Sequence, residues 1–194
     1  MPSRTSSPHL LTALLSSIKP LVVVLCFSLT ACATFSNDPR ARTPGMIIDD
    51  QVIESMVKRE IKKSDPGFDS AHLVAVSYNG VLLLAGQVAT ENLKTHAYQA
   101  AERIGKVRKI HNEIEVGGPI SYLARTNDTW LTGKVKTKLA ADKRVNANRV
   151  KVVTENGVVY LLGLLPRQQA DDTVAIARSV YGVQKIVKVF EYLD

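Results

Sequence analysis

The sequence predicts an α+β protein in which one small unit occurs twice, each copy running helix, strand, strand, helix, strand. Each copy is a three-stranded mixed sheet covered on one face by two helices. Three observations in the 194 residues predict this. Two amphipathic stripes, Ile53-Val57-Ile61 and Leu131-Val135-Leu139, have the same i, i+4, i+8 spacing and lie 78 residues apart. Two Asn-Gly pairs, Asn79-Gly80 and Asn156-Gly157, each join two strand-like apolar runs. A glycine recurs late in the second run of each pair, Gly86 and Gly163, 77 residues apart. Self-similarity at a fixed period marks a repeated supersecondary unit.

In the first copy the helix spans Asp50 to Ile61, and the hairpin pairs Leu73–Tyr78 with Val81–Val88. Asn-Gly tolerates the positive φ of a type I′ turn. A helix from Glu91 to about Ile104 and a strand from Val107 to Val116 complete the unit. In the second copy a helix opens at Asn127-Asp128-Thr129, residues that favour an N-cap, and a hairpin pairs Arg149–Thr154 with Val158–Leu165. A helix from Arg167 to about Tyr181 and a strand from Val183 to Leu193 follow. The second and last strands of each unit are linked through a helix, so they run parallel by a right-handed crossover. Gly86 and Gly163 are expected where a helix packs closely on a strand. Asp49-Asp50 and Asp171-Asp172 are expected at helix starts, capping free N–H groups.

The chain before the repeats differs in kind. Pro20–Leu29 is an uncharged apolar run preceded by Arg4, His9 and Lys19, with no acid before Asp38. It reads as the h-region of a secretory signal, too short for a comfortable permanent span. Leu29-Thr30-Ala31-Cys32 directly follows and resembles the lipobox of bacterial lipoproteins. The resemblance implies cleavage before Cys32, a diacylglycerol on its sulfur, palmitate-type acylation of its amino group and, with Ala33 next, sorting to the outer membrane. The expected organisation is a signal peptide at 1–31, lipidated Cys32 and a tether to 46, repeat one at 47–116, a linker at 117–126 containing Gly117-Gly118-Pro119, and repeat two at 127–193. Cys26 leaves with the signal and Cys32 carries lipid, so no thiol remains for disulfide, metal or nucleophilic chemistry.

The order of motifs, closing on Gly182-Val183-Gln184-Lys185-Ile186, resembles the BON domain. Copy one departs from it at Gly105-Lys106-Val107-Arg108-Lys109-Ile110, which has one extra residue before its Val. A lipobox followed by two such units resembles the dual-BON outer-membrane lipoproteins. That resemblance implies a periplasmic location, binding of phosphatidylglycerol-type lipid and a role in envelope integrity.

Nothing in the chain announces catalysis. His72, His96 and His111 have no ligand spacing with one another or with Cys, and no nucleophile elbow, Walker loop or dinucleotide fingerprint occurs. The reading is therefore no enzyme, no cofactor, no metal and no small-molecule substrate. An enzyme would need an unrecognised pocket between the repeats.

Charge divides the copies. Residues 47–118 hold 9 basic and 10 acidic side chains, whereas residues 119–194 hold 12 and 7. Lys134, Lys136, Lys138, Lys143 and Arg144 gather on or just after the first helix of copy two, beside the single Trp of the chain. Four residues advance a helix by 40°, so Trp130, Lys134 and Lys138 climb a stripe next to the Leu131-Val135-Leu139 core stripe. A Trp at the margin of an apolar stripe, ringed by lysines, suits an interfacial helix on anionic lipid. The expected lipid-binding set is Trp130, Leu131, Lys134, Lys136, Lys138, Lys143 and Arg144, with Leu131 inserting beside Trp130. The partner is an anionic phospholipid membrane. Two other readings share these residues: an inter-repeat contact, since Val52 and Met56 occupy the slots of Trp130 and Lys134 in copy one, and a nucleic-acid grip, which an exported protein has little occasion to use. Outer-membrane assembly or division-site proteins, docking on sheet edges or first helices, are the alternative partners.

Overall fold

The computed structural model describes residues 42–193. The expected signal peptide, Cys32 and most of the tether lie outside them. The described chain runs α1 (Pro44–Ser64), β1 (His72–Tyr78), β2 (Val81–Val88), α2 (Glu91–Glu102), β3 (Lys109–Val116), then α3 (Tyr122–Ala141), β4 (Val150–Glu155), β5 (Val158–Leu165), α4 (Arg167–Arg178) and β6 (Lys185–Tyr192). The helix–strand–strand–helix–strand order occurs twice, as expected.

Each sheet has its second strand in the centre, β1-β2-β3 and β4-β5-β6. β1 and β2 pair antiparallel from His72 opposite Gln87 to Tyr78 opposite Val81. β2 and β3 pair parallel from Val81 opposite Lys109 to Val88 opposite Val116. The second repeat copies both relations. Both hairpins turn on positive φ at the two central residues, 53° and 75° at Asn79-Gly80 and 50° and 74° at Asn156-Gly157.

Both first helices begin earlier than their apolar stripes suggest. Thr43 caps α1, its Oγ1 accepting from the Met46 N–H at 3.3 Å, with Pro44 in the first turn where a missing N–H costs nothing. Ser121 caps α3 in the same way through the Ala124 N–H. The two helices therefore begin at Pro44 and Tyr122, and Asn127-Asp128-Thr129 lies inside α3 rather than at its cap.

The acidic pairs are corrected too, since Asp50 and Asp171-Asp172 also lie inside helices. Asp50 is 2% exposed and accepts from the N–H groups of Asn79 and Gly80 and from the Ser77 hydroxyl. Asp128 does the same for Asn156 and Gly157 at 2.8 Å each. Each first helix thus holds the turn of its own hairpin through one inward carboxylate. Burial works to raise the Asp50 carboxyl, but hydrogen bonds from Gly80, Ser77, Asn79 and Arg42 outweigh it and hold it below its ordinary value.

Gly86 and Gly163 are not helix-packing sites. A Cβ on Gly86, which has φ 112°, would stand 2.0 Å from the His72 carbonyl oxygen, and one on Gly163 would stand 2.7 Å from that of Arg149. At Gly86 the neighbouring strand fills the space, and at Gly163 the residue just before the neighbouring strand does, so neither is crowded by a covering α-helix.

Three cores result. Ile53, Val57 and Ile61 of α1 pack on Leu82, Leu84 and Val88 of β2, and Leu131, Val135 and Leu139 of α3 pack on Val159, Leu161 and Leu165 of β5. The third core lies between the repeats, where Tyr78, Val81, Leu83 and Ala85 meet Tyr160, Leu162 and Val189. Both faces of each sheet are therefore covered, one by helices and one by the other sheet. All eight residues of β2 are buried for that reason. Polar contacts seal the seam: the Tyr78 hydroxyl donates to the Arg149 carbonyl at 2.8 Å, and the Lys151 ammonium meets Glu54 at 2.7 Å. Arg108 of the first repeat also meets Glu191 of the second.

Candidate membrane-facing site

Because Leu131, Val135 and Leu139 turn α3 inward and Asp128 grips the hairpin, the rest of that helix faces out. Trp130 is 60% exposed. The Lys134 ammonium sits 3.6 Å from the centroid of its ring and 5.9 Å from that of Tyr181. Such contacts contribute about 0.5–1 kcal/mol each at exposed positions. Lys134 also donates to the Tyr181 carbonyl at 3.3 Å, and Lys138 to the Ser179 carbonyl at 3.1 Å. Both carbonyls follow the C-terminus of α4, where the helix dipole favours a cation. The two lysines thus hold α3 against the end of α4.

Between these elements lies an open groove of about 650 Å³, lined by Trp130, Gly133, Lys134, Thr137 and Lys138 of α3 and by Tyr181. Trp130, Lys134 and Lys138 come together here as their spacing predicts. Tyr181 joins them unpredicted, 89% exposed in the turn after α4. The available signal was an aromatic residue next to Gly182, whose φ of 102° breaks the chain direction.

The other members of the expected set stand apart. Leu131 is 1% exposed in the second core, so it does not insert into anything. Lys136 is exposed, but it stands two residues and 200° round the helix from Lys134. Arg144 is engaged by Asp142 at 2.7 Å and Asp172 at 3.5 Å. Its hydrogen bonds bring the half-buried Asp142 carboxyl down to about 2. Lys143 and Arg144 line a separate, polar hollow with Asn146, Asn148 and Gln169. The reading of this helix face as an inter-repeat contact is overturned as well, because the repeats meet through their sheets and leave Trp130 outside.

The matching face of α1 has a different chemistry, with Ile48 61% and Val52 40% exposed. Among the described residues, no cluster of three His, Cys, Asp or Glu side chains is arranged to hold a metal, and no helix is long and apolar enough to cross a membrane.

The chain matches the model of the BON domain at residues 49–118 and again at residues 127–194. It is similar to outer membrane lipoprotein DolP of Haemophilus influenzae, 41% identical over 162 residues that cover 84% of this chain and 83% of that one. It is also similar to a 21 kDa hemolysin of Actinobacillus pleuropneumoniae, 39% identical with 81% and 80% coverage. Osmotically-inducible protein Y of Escherichia coli is 30% identical, with 73% and 72% coverage.

Proposed function

The chain belongs to the BON-domain family, and from that premise we propose that it is a non-enzymatic outer-membrane lipoprotein whose second BON unit binds anionic phospholipid. Its anchor is a lipidated Cys32 following a signal peptide, and its place is the periplasmic face, where it serves envelope integrity. The similarity to a lipoprotein named for the outer membrane supports the location. The observation that carries lipid binding is the exposed Trp130 with the Lys134 ammonium held 3.6 Å from its ring, both lining a largely apolar groove. An amphipathic ring lies at headgroup depth and a cation beside it meets phosphate, with each basic group contributing about 1 kcal/mol near such a surface.

Since more than one acyl chain already holds a lipoprotein stably, Trp130 is not the anchor. It selects where on the bilayer a tethered protein rests. Flotation of residues 33–194 with vesicles of graded phosphatidylglycerol content and ionic strength tests the reading. Binding is expected to require anionic headgroups, to weaken as salt shortens the Debye length, and to be lost in Trp130→Glu. A folded Trp130→Glu protein that floats like wild type would sink it.

One observation favours a second, protein-binding role elsewhere. The exposed aliphatic Ile48 and Val52 on α1 suit an apolar protein contact, as an adaptor for an outer-membrane assembly or division-site complex. Such a contact would survive high salt and need no anionic lipid.

A further inference from the structure

The first turn of α3 carries the largest unexplained apolar exposure in the second repeat. Tyr122 is 82% and Leu123 78% exposed. Leu123 lies seven residues before Trp130, a rotation of only about 20° on an α-helix, so both occupy one stripe with Lys134 and Lys138 beyond. That stripe, from Leu123 to Lys138, is about 22 Å long at 1.5 Å per residue. Tyr122 flanks it on the side away from the core. At its middle, Tyr181 of the next helix end projects beside Trp130, with Lys134 between the two rings.

Charge completes the picture. The only acidic side chain in α3 is Asp128, which is 5% exposed and engaged by the Asn156-Gly157 turn. The outward face of this helix therefore shows an approaching anionic surface two aromatic rings, a leucine, Arg125 and the lysines, with no carboxylate of its own to repel it, and Tyr181 adds a third ring from beyond α4. Helix α1 carries Asp49, Glu54 and Glu60 beyond its buried Asp50, and makes no such surface.

We propose that the membrane contact of the second repeat is built from two elements, in which Leu123 and Tyr122 at the start of α3 and Tyr181 after α4 enter the bilayer interface on either side of Trp130. The inference rests on the lipid-binding reading and extends it. A contact made by one Trp leaves the repeat free to pivot. One made at Leu123, Trp130 and Tyr181 lies on three non-collinear points and sets the tilt of the repeat on the bilayer. Lys134, pinned between two of those points, is thereby placed at phosphate depth before any lipid arrives.

Trp130 is the single Trp of the chain, so its own emission reports its depth. The full chain is reconstituted into vesicles of phosphatidylglycerol brominated on its acyl chains, as wild type and as Trp130→Phe carrying either Leu123→Trp or Tyr181→Trp. Both new positions are far out in solvent, so an indole there disturbs no core. The expected result is a loss of emission at positions 123 and 181 as large as that at Trp130 in wild type, and none for Tyr98→Trp on α2 in the same background. A reporter at 123 or 181 that stays bright while Trp130 is quenched overturns the two-element contact and leaves the lipid-binding reading standing. Wild-type Trp130 that stays bright overturns that reading itself.

Discussion

Asp50 accepts the Gly80 N–H at 3.0 Å across thirty residues of chain, and Asp128 accepts the Gly157 N–H at 2.8 Å across twenty-nine. The relation joins two levels of the fold, because a residue on the first helix decides how the hairpin of the same repeat closes. It also explains why α3 can face outward without acid. Its one carboxylate is committed to the interior.

Replacing either carboxylate by Asn removes the charge-assisted acceptor while keeping the shape. Each substitution is expected to cost about 2–3 kcal/mol in urea unfolding, the range for buried hydrogen bonds to a charged group. For Asp50 the cost depends on pH. Its folded carboxyl lies below its ordinary value of 3.8, so the stability it contributes is present above that value and is lost as pH falls through the depressed one. The difference between wild type and Asp50→Asn should therefore be constant from pH 7 down to about 5 and shrink below 3.8, as followed by thermal melts.

Gly86 makes a sharper prediction, because both its φ of 112° and the His72 carbonyl oxygen 2.0 Å from a would-be Cβ oppose any side chain. Gly86→Ala should destabilise by more than about 3 kcal/mol, combining backbone strain with displacement of a paired strand. Gly105 has nothing within 4 Å, and Gly105→Ala serves as the reference, with a change expected within about 0.5 kcal/mol. Equal effects in denaturant titrations would show that β1 yields easily at this point.

What was legible in the sequence was what local pattern controls. Apolar spacing set the stripes, and Asn-Gly set the turns. What was missed needed a third dimension. Ser121 and Asn127 are both capping residue types, and only tertiary structure, in which Asp128 turns inward, separates the true start of α3 from the second candidate. Gly86 and Gly163 were recognised as crowded, yet which neighbour crowds them depends on strand register. The continuous run Val81-Leu82-Leu83-Leu84-Ala85 is the sequence signal of a strand buried on both faces. In the site, periodicity found Trp130, Lys134 and Lys138 but carried nothing about Tyr181, which reaches them from another helix. Proximity in sequence also drew in Arg144, whose charge Asp142 and Asp172 already engage.

The seam between the sheets predicts joint unfolding. Leu83 and Leu162 are both fully buried in the core that the repeats share. Leu162→Ala should cost about 2–5 kcal/mol as a core truncation and should lower hydrogen-exchange protection in β2 of the first repeat as well as in β5. Protection loss confined to β5 and its neighbours in repeat two would mean that the repeats unfold independently.

The lysines of α3 separate a structural role from a membrane role. Lys134 and Lys138 donate to carbonyls beyond the end of α4, so neutralising either by Gln should cost up to about 1 kcal/mol of stability whether or not a membrane is involved. Lys136 makes no such bond among the described contacts and stands 200° from Lys134, away from the Trp130 stripe. If the stripe faces anionic lipid, Lys134→Gln and Lys138→Gln should each weaken vesicle binding about fivefold and flatten its salt dependence, as expected for the loss of about 1 kcal/mol of surface attraction. Lys136→Gln should change binding far less. Three equal losses would mean that only net charge matters, with no oriented face. Reduced stability at unchanged vesicle affinity for Lys134→Gln would make that lysine a cap for α4 and nothing more. Sedimentation with phosphatidylglycerol vesicles at two ionic strengths, run beside thermal melts of the same proteins, distinguishes these results, because a cap acts on the melt and a lipid contact on the salt slope.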